Sequence, residues 1–304
     1  MKYFILMAAV LLMFTGCSLE KDENILENPL PDLGISQVES AVTEATVPVR
    51  ETALLSQLID PRNEDLVRVK DYIPEVIVDL KYATEDNFTG QVIYDFEDVF
   101  LRYGTVMKLC AVHEELAKQG LGLKIWDGFR PVSAQFKLWE VCPDDTYVAN
   151  PNRGFSNHSR GFAVDITLVD SEGNELEMPT EFDDFSGNAN RSYYGCSPQE
   201  ATNAKLLQAI MEKHGFAGYW GEWWHFNDTD SYDVEEYFDP GVICRMVTLR
   251  ETSMLTRIWE SASGILDIPA GEPVTLLGYR EEYSLVEYWG YRGYVLSADL
   301  NPLN

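Results

Sequence analysis

Two short segments hold most of the residues in this chain that could do chemistry. Residues 156–168 read SNHSRGFAVDITL, and residues 221–226 read GEWWHF. Together they supply two imidazoles, His158 and His225, and two carboxylates, Asp165 and Glu222. A catalytic zinc takes three protein ligands and leaves one position open for water. His158, Asp165 and His225 fit that set, and Glu222 remains as a carboxylate able to take a proton from such a water. The chain has only four histidines, so two of them in these surroundings concentrate the signal.

These side chains converge only if the backbone turns. His158 and Asp165 are seven residues apart, and on one straight strand an odd step puts two side chains on opposite faces. Ser159, Arg160 and Gly161 are expected to supply the turn, with Gly161 free to take positive φ. Residues 162–168 then alternate as a half-buried strand, with Ala163, Asp165 and Thr167 on one face. Glu222 and His225 are separated by another odd step, in a stretch too aromatic for a solvated helix. A strand with a twist or bulge near Gly221 is expected there, with at least one of Trp223 and Trp224 packed in the core.

The surrounding elements are read from periodicity and end signals. Residues 76–82 are rich in β-branched side chains and predict a strand. Residues 105–119 predict a helix stopped by Gly120. Residues 123–126 predict a short strand running into the turn Asp127-Gly128-Phe129-Arg130-Pro131, with a second helix over 133–141. Ser197, Pro198 and Glu200 form a capping-box start for a helix that runs to Gly215. Strands and helices alternate irregularly, so the expected class is α+β rather than a doubly wound parallel sheet.

The first 17 residues read as a targeting segment. Lys2 gives a positive start, and residues 4–14 are nearly all apolar but too few to span a bilayer. The ending Phe14-Thr15-Gly16-Cys17 resembles a bacterial lipobox, with Phe14 in place of the usual Leu. That implies an exported protein lipid-anchored through Cys17 to the outer face of the cell membrane, or in the periplasm. Residues 18–60 lack aromatics, and their acids far outnumber Lys21 and Arg50, the composition of a flexible tether. A formal charge of −27 argues against nucleic acid and against electrostatic adhesion to anionic lipid. Cys110, Cys142, Cys196 and Cys244 show no CxxC spacing. Cys110 is expected as a buried thiol, and Cys142 with Cys196 is one candidate bridge.

Further motifs fall in a recognisable order. Residues 82–90 read YATEDNFTG and residues 126–131 read WDGFRP; then come SNHSRG with Asp165, Phe182-Asp183, EWWH at 222–225 and Tyr237-Phe238-Asp239. Over roughly residues 66–243 the chain resembles the VanX-type D-alanyl-D-alanine dipeptidases, which are zinc D,D-dipeptidases. The resemblance implies an α+β fold shared with cell-wall zinc carboxypeptidases and Hedgehog signalling domains. It implies one zinc ion on His158, Asp165 and His225, with Glu222 as general base and then acid. It also implies Arg130 as the stabiliser of the oxyanion, Asp183 as the partner of the substrate's free ammonium, and Tyr82 and Ser156 as substrate contacts. Glu85 departs from the pattern, standing where an aromatic is expected; it lies outside the ligand set and bears on specificity. With an exported address, the expected role is hydrolysis of D-alanyl-D-alanine and similar D,D-dipeptides in wall turnover or scavenging. A peptidoglycan D,D-carboxypeptidase and a non-catalytic wall-binding lipoprotein are the alternatives.

Residues 245–304 carry several short strands, and Arg292-Gly293-Tyr294-Val295 with Leu300 resembles bacterial SH3-like domains, small all-β barrels. That resemblance implies peptidoglycan or peptide binding, with a packing or spacer module as the other reading. The expected organisation is therefore a leader over 1–17, a tether over 18–60, a catalytic domain over 61–243 and an SH3-like domain over 245–304.

Overall fold

The computed structural model describes residues 61–145, 147–258 and 262–303. The expected leader with Cys17 and the acidic tether over 18–60 lie outside the described residues. In chain order the first part holds β1 (Leu66–Arg68), β2 (Ile77–Val78), β3 (Phe100–Arg102), α1 (Tyr103–Ala117), β4 (Gly122–Asp127) and α2 (Val132–Val141). It continues with β5 (Ala163–Val169), α3 (Pro198–Lys213), β6 (Phe216–Gly218) and β7 (His225–Asp228). Five strands form one sheet in the order β2-β4-β5-β7-β6, in which only β2 and β4 run parallel. β1 and β3 make a separate antiparallel pair. This mixture of helices with a mostly antiparallel sheet is α+β.

The helices form because their apolar residues recur on one face. Val106, Leu109, Val112 and Leu116 of α1 and Ala204, Leu207 and Met211 of α3 join the same core as Leu123, Ile125, Val164, Ile166 and Leu168 of the sheet. α3 begins at the expected capping box: Glu200 N–H donates to Ser197 Oγ at 3.1 Å and Ser197 N–H to Glu200 Oε2 at 2.7 Å. It ends at Lys213, before Gly215, which takes φ +88°.

Two expectations about strands change. The strand expected over 76–82 shrinks to β2, after which the chain winds into a single 3-10 turn, Lys81–Ala83, that buries Tyr82. β5 is not half-buried; every residue in it is buried, because it lies between β4 and β7 with core on one face and the polar site on the other. The candidate Cys142–Cys196 bridge is also not formed. All four described cysteines are free, and Cys110, Cys142 and Cys196 pack as half-buried apolar groups against the core. No helix among the described residues is long and apolar enough to cross a membrane.

The C-terminal strands are β8 (Cys244–Thr248), β9 (Thr252–Leu255), β10 (Gly264–Ile268), β11 (Pro273–Arg280), β12 (Tyr283–Tyr288), β13 (Tyr291–Leu296) and β14 (Leu300–Pro302). They form a seven-stranded antiparallel sheet in the order β10-β9-β13-β12-β11-β8-β14. Met254, Ile268, Val274, Val286 and Val295 make its own core. The register of β11 against β12 shifts between Leu276 and Gly278. Leu277 at that irregularity packs outside the sheet's core, with Leu66, Phe129 and Phe238.

Candidate metal centre

Cross-strand register builds the site. β4, β5 and β7 lie side by side, with Asp127 opposite Asp165 and Asp165 opposite His225. Directly opposed residues have Cβ atoms roughly 5 Å apart, so three polar side chains form a row across the sheet. A bulge at Trp126, where the β4–β5 register shifts between Ile125 and Asp127, brings Asp127 into that row. His158 arrives from outside the sheet on a 3-10 turn, His158–Arg160, closed by Gly161 at φ 77°, as the spacing requires. The turn carries His158 back over the first part of β5.

The three expected ligands meet. His158 Nε2 lies 3.4 Å from Asp165 Oδ2, His225 Nδ1 lies 2.9 Å from Asp165 Oδ1, and the two ring nitrogens are 3.2 Å apart. Neighbours fix which nitrogen faces the centre. His158 Nδ1 is 2.8 Å from the Gly128 carbonyl, which only accepts, so Nδ1 carries the hydrogen and Nε2 offers its lone pair. His225 Nε2 is 3.2 Å from Asn227 Oδ1, which also accepts from Asn157 Nδ2 at 3.0 Å; that leaves Nδ1 of His225 unprotonated. In the neutral tautomers that these contacts favour, two ring lone pairs and a carboxylate point at one place, the donor set that a shared cation would take. One atom from each of the three side chains lies within 4.8 Å of the others. Zinc with ligand bonds of about 2.0–2.1 Å in a tetrahedron spaces its ligand atoms about 3.3 Å apart, so the residues fit zinc in spacing as well as in donor type.

The local field agrees. Burial alone would raise the Asp165 carboxyl, but His158 and His225 hold it well below the usual carboxylate range. Burial would lower His158, but Asp165 and Asp127 outweigh it and raise the ring. Both directions describe an anionic pocket that attracts positive charge.

Arg130 is buried beside the expected ligands, and each of its nitrogens makes one hydrogen bond, which leaves two of its five N–H groups. Its Nη2 donates to Asp127 Oδ2 at 2.5 Å, Nη1 to Gln135 Oε1 at 3.0 Å and Nε to the Tyr94 hydroxyl at 3.2 Å, and its guanidinium lies 5.1 Å from the Tyr82 ring centre. Burial would lower its pKa, yet Asp127 and the two tyrosines hold it charged. Asp127 accepts from Tyr94 Oη at 2.7 Å and stands 3.5 Å from His158 Nδ1, linking the arginine to a ligand. The sequence reading missed Asp127, Tyr94, Gln135 and Asn227. For Asp127 the sequence shows only that it shares the WDGFRP turn with Arg130, not that it reaches His158.

Glu222 does not lie on a strand. It ends a turn closed by its own N–H to the Tyr219 carbonyl at 3.3 Å, ahead of β7, so the odd step to His225 sets no face. Glu222 Oε2 is 3.8 Å from His225 Nδ1. Burial pushes its carboxyl up and Asp165 adds to this, against the opposing His225 and His158. Trp223 and Trp224 are both core residues. Asp183 takes φ 57°, uncommon outside glycine, and accepts from the Tyr82 hydroxyl at 2.9 Å. Ser156 Oγ accepts from His158 N–H at 3.3 Å and so steadies the ligand's turn.

Tyr82, Arg130, Ser156, His158, Asp165, Asp183, Glu222 and His225 all line one cavity of about 360 Å³. A larger cavity of about 520 Å³ lies by the C-terminal sheet, but its arginines are taken: Arg68 by Asp71 and Asp98, Arg292 by Glu287 and the Leu66 carbonyl. The expected site residues gather in the smaller one.

A sequence profile of the D-ala-D-ala dipeptidase family matches residues 62–243. The D-alanyl-D-alanine dipeptidase of Escherichia coli (strain K12) is 40% identical over 162 residues, 53% of this chain and 83% of that protein. The D-alanyl-D-alanine dipeptidase of Enterococcus faecium is 36% identical over 181 residues, 53% of this chain and 90% of that protein. A solved structure, VanYB in complex with D-Alanine-D-Alanine, covers 43% of this chain and 73% of its own at 16% identity and a TM-score of 0.29, a likeness too slight to carry an argument.

Proposed function

Because the chain belongs to the D-ala-D-ala dipeptidase family, we propose that it hydrolyses D-alanyl-D-alanine and similar free D,D-dipeptides with one zinc ion. The observation that carries this reading is the convergence of His158 Nε2, His225 Nδ1 and an Asp165 oxygen, with a free carboxylate, Glu222, 3.8 Å from His225 Nδ1. A zinc ion held there by His158, Asp165 and His225 would supply Lewis-acid polarisation of a carbonyl and a bound water with its pKa lowered to about 7.

The chain's own residues do the rest. Glu222 takes the proton of the attacking water and returns it to the leaving amine. Its carboxyl is raised above the ordinary range, which suits a group that must both accept and release a proton. Arg130 donates to the carbonyl oxygen as that oxygen gains charge; Asp127, Gln135 and Tyr94 have already fixed its fork, so little reorganisation remains. Asp183, held by Tyr82, pairs with the substrate's ammonium. A longer peptide would set neutral chain against that carboxylate, which disfavours it. Ser156 lines the same cavity as a further substrate contact.

The address is part of the proposal. The apolar run over 4–14 ending at Cys17 supports an exported, lipid-anchored protein acting in wall turnover or scavenging. The strand pattern after residue 245 supports an SH3-like module, with peptidoglycan or peptide binding as one role for it and packing or spacing as the other. The test uses the protein lacking residues 1–17, loaded with zinc. D-alanyl-D-alanine should be cleaved and its N-acetyl form refused, and Glu222→Ala should lower kcat by about 10²–10⁴-fold. Equal cleavage of the acetylated form would indicate a carboxypeptidase, and cleavage of neither would indicate a binding protein.

A further inference from the structure

The hairpin between β6 and β7 carries two groups of the site, Glu222 in its connection and His225 at the start of β7. Residues 219–224 lie between the two strands, so the separation of those groups depends on what holds the connection. We propose that Arg191, a buried residue outside the site cavity, is the positioning residue that fixes this hairpin, and with it the placement of Glu222 relative to His225. The kinetic part of this inference rests on the dipeptidase reading.

Arg191 grips the connection at both ends. Its Nε donates to the Tyr219 carbonyl at 2.8 Å and its Nη2 to the His225 carbonyl at 2.8 Å, while its backbone N–H donates to the Trp220 carbonyl at 3.0 Å. The same two carbonyls set the local fold: that of Tyr219 accepts Glu222 N–H at 3.3 Å, and that of His225 accepts Tyr219 N–H at 3.1 Å. A neighbouring residue adds a third hold, since Trp223 N–H donates to the Ala189 carbonyl at 2.9 Å. The guanidinium lies 4.3 Å from the Phe226 ring centre. A Cβ on Gly218, which pairs with Phe226, would stand within hard contact of the guanidinium carbon, so the strand omits a side chain where the arginine lies. Among the described residues Arg191 forms no salt bridge with a carboxylate. Its Nε and Nη2 serve backbone carbonyls that orient the site, while its buried Nη1 has no hydrogen-bond partner among the described residues.

A planar fork holds two carbonyls at a fixed separation and orientation; a lysine ammonium on a flexible stem fixes neither. Groups that orient metal ligands from behind typically change activity or metal affinity by about 10–100-fold when lost. Arg191 should therefore affect kcat more than KM, because the proposed ammonium partner Asp183 lies outside the hairpin.

The experiment compares the protein lacking residues 1–17 with its Arg191→Lys and Arg191→Ala forms, each loaded with zinc and, separately, with cobalt(II). For Arg191→Lys the expected result is a roughly 10–100-fold loss of kcat with KM within about twofold, and a shifted visible spectrum of the cobalt form. In Arg191→Ala, millimolar guanidinium should restore part of kcat where sodium chloride at equal ionic strength does not. A wild-type kcat and cobalt spectrum in Arg191→Lys would overturn the proposal. So would losses that only track a lowered thermal midpoint and ignore guanidinium. If the unsubstituted protein binds cobalt but cleaves no dipeptide, the dipeptidase reading fails by itself, and the spectrum of Arg191→Lys still decides the role of Arg191.

Discussion

Asp183 is held in a charge environment that its own fold disfavours. Burial pushes its carboxyl well above the usual carboxylate range, and Asp165 and Glu222 push the same way, against the Tyr82 hydroxyl and Arg130. A raised carboxyl binds its proton more tightly folded than unfolded. Its contribution to stability is therefore fully present below the unfolded value, about pH 4, and is lost as pH rises through the folded value. A substrate ammonium would remove that cost by pairing with the ionised form. Asp183→Asn keeps the shape and tolerates the left-handed backbone at φ 57°. The variant should melt like the wild type near pH 4 and increasingly above it as pH rises. It should also lose at least about tenfold in kcat/KM for the free dipeptide, equivalent to about 1.4 kcal/mol. Melting curves across pH with parallel kinetics check both halves, and a variant whose relative stability falls with rising pH would refute the account.

At the scale of elements, the turn into β5 sets where His158 stands. Gly161 closes it at φ 77°, and a Cβ there would lie 2.6 Å from Leu66 Cδ2 and 3.3 Å from Arg102 Nε. Arg102 cannot easily yield, because its Nε donates to the Arg160 carbonyl at 2.7 Å and its backbone N–H to that of Gly161 at 2.8 Å. Gly161→Ala should cost about 1–3 kcal/mol, from the left-handed backbone and the clash together, and should weaken zinc retention about tenfold. Urea unfolding and competition with a chelator measure the two effects; no change in either would sink the argument. This turn was legible in the sequence because an odd step between two candidate ligands demands one and glycine permits it. The start of α3 was legible too, since Ser197, Pro198 and Glu200 satisfy a helix end by local bonds alone. The position of Glu222 was not: Trp223 and Trp224 are core residues, and that apolar density reads as strand although the chain there is still turning. Asp127 was missed for a related reason. Its place beside His158 depends on cross-strand register and on a bulge at Trp126, neither of which spacing along one chain reveals.

At the scale of the whole molecule, the C-terminal sheet is joined to the part that holds the site rather than hung from it. Leu277, displaced at the β11 irregularity, packs with Leu66, Phe129 and Phe238. Asp239 N–H donates to the Leu277 carbonyl at 2.9 Å, Arg292 Nη1 to the Leu66 carbonyl at 2.7 Å, and Arg280 pairs with Glu236. Phe129 stands between Gly128, whose carbonyl orients His158, and Arg130. The apolar patch that joins the sheet therefore lies directly behind the turn that aims two site residues. Truncating a buried leucine costs about 2–5 kcal/mol, a large share of the about 5–15 kcal/mol that a domain commands, so the two parts are expected to unfold together. Calorimetry of the protein lacking residues 1–17 should show one transition. Leu277→Ala should lower its midpoint, and Leu277→Asp, which buries a charge at the junction, should split it in two and lower kcat along with the stability of the first part. Two transitions in the unsubstituted protein would mean that the sheet is a tethered accessory, and that Phe129 keeps the WDGFRP turn in place without help from Leu277.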